Sequence, residues 1–294
     1  MIWNTQITKL IKIKYPLIMA AFAGLGKTEF AASFSNAGGL GVITALNYGI
    51  KSFKKELDKI HSLTDKPFGI NLTVVPPGVR FGDRNITNED YLKYLEVAID
   101  QGVNIFTTSA FQATYLGSRI REAGCLWFHK CALMRHAMSA ERAGANAITL
   151  IGMEAAGFKN PYQHTTLVNI TMAKKLLIIP VIAAGGIGDA RGFLGALAMG
   201  AEAVCLGTAI LTTTESPISI DLKESWINTD IFSEDYHRGL YHLTLGPTRV
   251  PSSAIGFQKK IIPLKTFIEH LMDDAEEILK TWGFTKEEFN TITI

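Results

Sequence analysis

Residues 180–211, PVIAAGGIGDARGFLGALAMGAEAVCLGTAIL, decide the fold. The run opens on a short apolar stretch of strand length, 181–184. Two glycines and Asp189 punctuate it, and 190–199 then repeats apolar residues at helical spacing. Gly200 stops that helix, and a second short apolar stretch follows at 203–206. Strand, helix and strand in this order predict a parallel β-α-β unit with a right-handed crossover.

Outward from this unit the pattern repeats. Six more strands are expected at 17–21, 38–44, 68–74, 103–107, 126–130 and 147–151. The segments between them carry helical periodicity at 28–36, 88–100, 113–123, 133–143 and 165–176, with one further helix capped by Ser52. Gly102, Gly124, Gly144 and Gly200 sit where a helix yields to the next strand, a left-handed cap at which a missing Cβ costs nothing. Eight such units in 294 residues predict a closed (β/α)8 TIM barrel. An open doubly wound sheet would show fewer units, and no GxGxxG follows the first strand. Residues 1–208 then carry the barrel strands and helices. Residues 209–262, less regular and rich in Gly and Pro, form a barrel-capping excursion, and 263–294 supply a C-terminal helix that closes the same domain.

Composition narrows the function. Hydrophobic residues make up 47% and charged residues 19%, enough for a large core. With 29 Lys+Arg against 27 Asp+Glu there is no strong field, so neither nucleic acid nor an anionic membrane is an expected partner. The three cysteines form no CxxC pair, which argues against a metal site or a disulfide framework and for a reducing, cytoplasmic setting. Lys9, Lys12 and Lys14 before YPLIMAAFAGLG imitate a signal peptide, but that stretch is needed as the first strand. No apolar run approaches the ~18 residues of a membrane span.

In a barrel, chemistry sits where strands end. Strands seven and eight end in Gly185-Gly186 and Gly207-Thr208, and two adjacent glycine loops make a phosphate cradle of inward amides. Asn71 ends strand three and Lys130 ends strand five, a cation at an apolar strand tip. His129 should face the other way by strand alternation, as a packed histidine.

The pieces NAGGLGVITAL, LTDKPFGINLTVVP, HKCALMRHAMSAERAGANAI, GMEAAG, the 180–211 run and TESP together resemble the nitronate monooxygenase (2-nitropropane dioxygenase) family, closest to its NADH:quinone reductase branch. The phosphate loops alone also suit inosine monophosphate dehydrogenase, but its cysteine loop is absent. The resemblance implies an FMN-dependent oxidoreductase that passes electrons to oxygen or a quinone. It implies backbone at Ala21, Phe22 and Ala23 along the isoalloxazine ring, and Asn71 and Lys130 at its polar edge. A cation there stabilises the anionic reduced flavin. Ala156, Gly157, Ala184, Gly185, Gly186, Gly207 and Thr208 would hold the ribityl phosphate.

The chain departs from the family pattern after strand six. Phe158 stands where the family has its catalytic histidine, and a phenyl ring has no proton to move. His164 is the only nearby candidate to replace it. Ile151 stands where close relatives carry aspartate, and Met19 and Phe22 where Gln and Met are usual. The expected ligands are a small-molecule substrate and NAD(P)H, a nitronate or a quinone, with a homo-oligomer possible through the excursion. Competing readings are a non-catalytic flavin- or phosphate-binding barrel and an enoyl reductase-like flavoenzyme.

Overall fold

The computed structural model describes residues 2–75, 78, 80–157, 164–241 and 250–284. Eight parallel strands form the barrel: β1 (Leu17–Met19), β2 (Gly41–Thr44), β3 (Phe68–Val74), β4 (Ile105–Ala110), β5 (Leu126–Cys131), β6 (Ala147–Ile151), β7 (Val181–Ala184) and β8 (Ala203–Leu206). They pair in chain order from β2 round to β8, and β8 pairs with β1. An isolated bridge, Ile18 to Leu40, joins β1 to β2 and closes the ring. The expected TIM barrel is therefore the observed one.

Between the strands run α1 (Thr28–Asn36), α2 (Ile50–Leu63), α3 (Asn88–Asp100), α4 (Thr114–Glu122), α5 (Met134–Arg142), α6 (Thr166–Leu176) and α7 (Ala190–Ala198). A last helix, α8 (Leu264–Thr281), fills the eighth position and packs on α7 and α1. Each turns an apolar stripe inward. In α2, for example, Phe53, Leu57 and Ile60 are fully buried, at about 1.5–3 kcal/mol each. Close approach of α1 to β2 requires Gly41, because a Cβ there would lie 1.9 Å from the Ala31 carbonyl oxygen.

Several expected boundaries move. Strand one ends at Met19, not residue 21, although Ala20 still donates to the Leu206 carbonyl. Strand two begins at Gly41 rather than 38, because Gly38 is in the left-handed region (φ +103°) and turns the chain out of α1. Strand four runs Ile105–Ala110 instead of 103–107. Ser52 is not a cap: α2 starts at Ile50 behind Gly49, and the Ser52 hydroxyl donates back to the Gly49 carbonyl. The excursion is more ordered than its composition suggests, with helices Thr208–Leu211, Ile220–Ile227 and Glu234–Tyr241 and a 3-10 turn at Ser253–Phe257.

A short helix before the barrel, Gln6–Ile11, was not expected. It plugs the N-terminal end with Ile7 and Ile11, and Trp3 stacks edge-on against Phe193 at 5.0 Å. The buried carboxylate of Glu202 fastens it, accepting from the Gln6 amide at 2.8 Å and its Nε2 at 2.9 Å. Among the described residues no helix is long and apolar enough to cross a membrane, and all three cysteines are free and buried.

Candidate active site

Sheet register decides which side chains face the lumen. Thr44 pairs with Asn71, Asn71 with Thr107, Phe128 with Thr107, and Lys130 with Thr149. These residues share one face, and by the period of two so do Thr73 and Ser109. Thr108 and His129 pair on the opposite, helix-facing side. The mouth of the barrel is thus rimmed by hydroxyls, one amide and one ammonium.

Asn71 is held tightly. Its Nδ2 lies 2.9 Å from Thr107 Oγ1 and 3.3 Å from Ser109 Oγ, and its Oδ1 accepts from Thr73 Oγ1 at 2.6 Å. With 1% of its surface exposed, the amide is oriented by its neighbours rather than free to turn. Lys130 differs. It is half-buried, and makes no hydrogen bond or ion pair with a described residue. Its charge reaches Cys205 across the lumen: burial pushes that thiol up, and the ammonium works against the shift.

The glycines of the mouth divide into two sets. A Cβ on Gly152 would meet Thr166 Oγ1 at 2.1 Å, and one on Gly188 would meet the Ala254 carbonyl at 2.6 Å. One on Gly186 would meet the Glu154 Cβ at 2.9 Å. These glycines serve internal packing. By contrast, among the described residues a Cβ on Gly157 would meet nothing within 4 Å, and one on Gly207 only the Ala20 Cβ at 3.7 Å. Gly157, Gly185 and Gly186 all hold positive φ (+85°, +115° and +71°), which turns their peptides out of strand geometry. The backbone amides of Gly185, Gly186, Ile187 and Gly207 donate no hydrogen bond to a described residue. Ala184 ends β7 with its carbonyl accepting from the Gly152 amide at 2.8 Å.

Glu154, not singled out from sequence, organises this corner. Its carboxylate accepts from the Thr166 amide (2.9 and 3.1 Å) and lies 2.9 Å from the Thr166 hydroxyl, so it caps α6 together with Thr165. Charge at a helix N-terminus suits the dipole. The covering segment lies on the same loops. Ser252 donates its amide to Thr208 Oγ1 at 3.1 Å, and Gln258 Nε2 donates to the Gly188 carbonyl at 3.0 Å. Ser253 donates its amide to the Glu154 carbonyl at 3.3 Å.

On the other side of the mouth, Ala21 and Phe22 are half-buried and Ala23 is exposed. Asn47 pins this loop, accepting from the Gly24 amide and donating to the Phe22 carbonyl at 3.1 Å. The fold therefore brings Ala21 to Ala23, Asn71, Lys130, Ala156, Gly157, Ala184 to Gly186, Gly207 and Thr208 to one end of the barrel. His164 is exposed at the start of α6, its carbonyl accepting from the Met153 amide at 2.9 Å. Phe158, the position of greatest chemical interest, lies outside the described residues.

His129 is packed as expected, 4% exposed, with burial and then His136 lowering its pKa to about 4. Thr73, Thr107 and Ser109 were missed. Their signal was the alternation of polar residues with Asn71 and within FTTSA, which strand ends rarely show without reason.

A family model described as nitronate monooxygenase matches residues 4–232. A protein of Staphylococcus aureus described as "Probable nitronate monooxygenase" is 30% identical, over 77% of this chain and 73% of its own. An octahydroindene-carboxyl-CoA dehydrogenase of Mycobacterium tuberculosis is 29% identical over 78% of this chain, and the match spans 61% of that protein, less than two thirds. Among solved structures, FabK from Thermotoga maritima superposes with a TM-score of 0.80 at 26% identity, covering 95% of this chain and 98% of FabK. A nitroalkane oxidase from Streptomyces ansochromogenes, at 21% identity and a TM-score of 0.77, shares the fold.

Proposed function

The chain belongs to the nitronate monooxygenase family, and from that premise we propose that it is an oxidoreductase that binds FMN at the barrel mouth and passes electrons to oxygen or a quinone. The observation that carries the reading is the set of backbone amides at Gly185, Gly186, Ile187 and Gly207, which have no acceptor among the described residues and share one rim. Gly185, Gly186 and Gly207 are half-buried and Ile187 is buried, and a phosphate monoester supplies several acceptors to such amides at once. Beside Gly207 an added Cβ would meet only the Ala20 Cβ at 3.7 Å among the described residues, which gives the group room.

FMN bound there would supply reversible two-electron transfer. The chain's own residues supply the rest. Lys130, which has no counter-ion among the described residues, places a positive charge at the lumen side of β5 and favours negative charge arriving there. Thr73, Thr107 and Ser109 hold the Asn71 amide in one orientation, ready to recognise a polar edge. Ala21 to Ala23 offer only small side chains and Phe22, so backbone approaches a flat ring closely. Position 158 carries no titratable proton in this chain, which disfavours deprotonation of neutral nitroalkanes and favours substrates that arrive already ionised, or hydride donors.

The test uses the purified protein and its visible spectrum. A yellow chromophore that bleaches anaerobically with NADH, NADPH or a nitronate is the expected result. Bound flavin that no donor reduces would overturn the oxidoreductase reading in favour of a binding protein. A colourless protein that FMN cannot reconstitute would overturn the flavin reading altogether.

A further inference from the structure

Behind β5, on the face turned away from the lumen, a cleft of about 270 Å³ lies between α4 and α5. Gln112, Thr114, His129, Arg135, His136 and Arg142 supply most of its polar lining, and no carboxylate lines it. Neither Arg135 nor Arg142 forms an ion pair with a described residue. At the start of α4, Ala113 has no side chain to cap the first amides. The first turn of α5 carries the Arg135 cation and nothing acidic, the wrong sign for a helix N-terminus. Arg135 and Arg142 bring two cations here, while His136, its pKa lowered by burial and then by Arg135, accepts at Nε2 from Arg135 Nε at 3.5 Å.

His129 adds a directed donor. Thr108 Oγ1 accepts from Trp127 Nε1 at 2.8 Å and lies 2.8 Å from His129 Nδ1. With one acceptor in reach, the hydroxyl proton goes to Nδ1, so the neutral ring carries its own proton on Nε2. That Nε2 has no partner among the described residues, on a side chain that is 4% exposed and lines the cleft. A chain of donors thus runs from Trp127 through Thr108 and His129 and ends at the cleft, where an acceptor is missing.

We infer that this cleft is a second binding site, separate from the barrel mouth, and that it takes a phosphoryl group. His129 Nε2–H donates to one oxygen while Arg135 and Arg142 neutralise the dianion, with the α4 amides alongside. Arg135 and Arg142 are exposed and have no carboxylate partner among the described residues, so a dianion matches both where a single carboxylate would match one. The site does not depend on the flavin reading, since its residues face the opposite side of β4 and β5.

The experiment titrates inorganic phosphate into the FMN-supplemented full-length protein labelled with ¹⁵N-histidine and follows the His129 ring signals. A saturable shift is expected, and Arg135→Gln and Arg142→Gln should each weaken phosphate binding roughly tenfold or more while leaving circular dichroism and FMN binding unchanged. Glycerol phosphate distinguishes the source: if it moves the same signals, the cleft accepts a phosphoryl group carried by a larger ligand, and if inorganic phosphate alone does, the ligand is free phosphate. Three results would each overturn the proposal: an unmoved His129 resonance at high phosphate, wild-type affinity in both arginine variants, or acetate binding as tightly as phosphate.

Discussion

Removing the Glu154 carboxylate tests how the mouth is built. In Glu154→Ala, the Thr166 amide loses acceptors at 2.9 and 3.1 Å, while the Thr166 hydroxyl loses one at 2.9 Å but keeps the Gly185 and Ala184 carbonyls at 3.0 and 3.3 Å. A charge-assisted bond of this kind contributes about 1.5–3 kcal/mol, and the partial exposure of Glu154 places the loss near ~2 kcal/mol. For a chain of 294 residues that is about 3 °C in melting temperature. The covering segment stays attached, because Ser253 donates to the backbone carbonyl of Glu154, which the substitution keeps. The expected phenotype is therefore a lowered melt and weaker FMN binding, with α6 frayed at its start and α8 unaffected. Glu154→Gln keeps one acceptor and should lose about half as much. If Glu154→Ala melts with the wild type and binds FMN as well, the carboxylate does not pin α6 and the reasoning fails.

Gly41→Ala should destabilise the barrel by at least about 1–3 kcal/mol, read as a fall in the denaturant midpoint, since its Cβ would lie 1.9 Å from the Ala31 carbonyl. Lys130→Met should weaken FMN binding or slow its reduction, followed by flavin fluorescence and stopped-flow bleaching; wild-type behaviour would remove Lys130 from the site. Phe158→His should raise activity on neutral nitroalkanes, measured by oxygen uptake, and no gain would mean the pocket serves another substrate. Acid sensitivity should trace in part to His129. Below its ordinary value of 6.5 the unfolded chain takes up a proton that the native imidazole refuses until about pH 4, so stability falls as pH drops through that window, by up to roughly 3 kcal/mol. His129→Gln should flatten that limb in urea melts at stepped pH.

The barrel was legible because its strands are short apolar runs separated by helices that end on glycine. β3, β6, β7 and β8 occupy the expected residues. The N-terminal helix escaped because its six residues give too little periodicity, and its main fastening, Glu202, lies 196 residues away. Ser52 misled because a serine near a helix start resembles a cap, whereas Gly49 sets the boundary. At the site, Lys130 was readable as a polar residue near a strand end, but Asn71 lies inside β3, which runs on to Val74, rather than ending it as expected, and the hydroxyls that orient it come from β3 and from the neighbouring β4. GMEAAG looked like one small-residue surface for a ligand. Only the folded chain shows that Gly152 is closed off by Thr166, since that depends on a helix beginning at residue 166.

The barrel's closure is uneven. Between β3 and β4 the ladder runs through five register pairs, Ile70 with Phe106 to Val74 with Ala110. Between β1 and β2 it is one bridge, with Met19 donating to Leu40 and Leu40 to Leu17. Opening fluctuations follow the cheapest boundary, so this seam is where amide protons in the barrel wall exchange with solvent soonest. It is also the wall whose upper end carries Ala21 to Ala23. The sparsest ladder of the wall is thus the one beside Ala21 to Ala23, so hydrogen exchange at Leu40 and Met19 reads the barrel's weakest join.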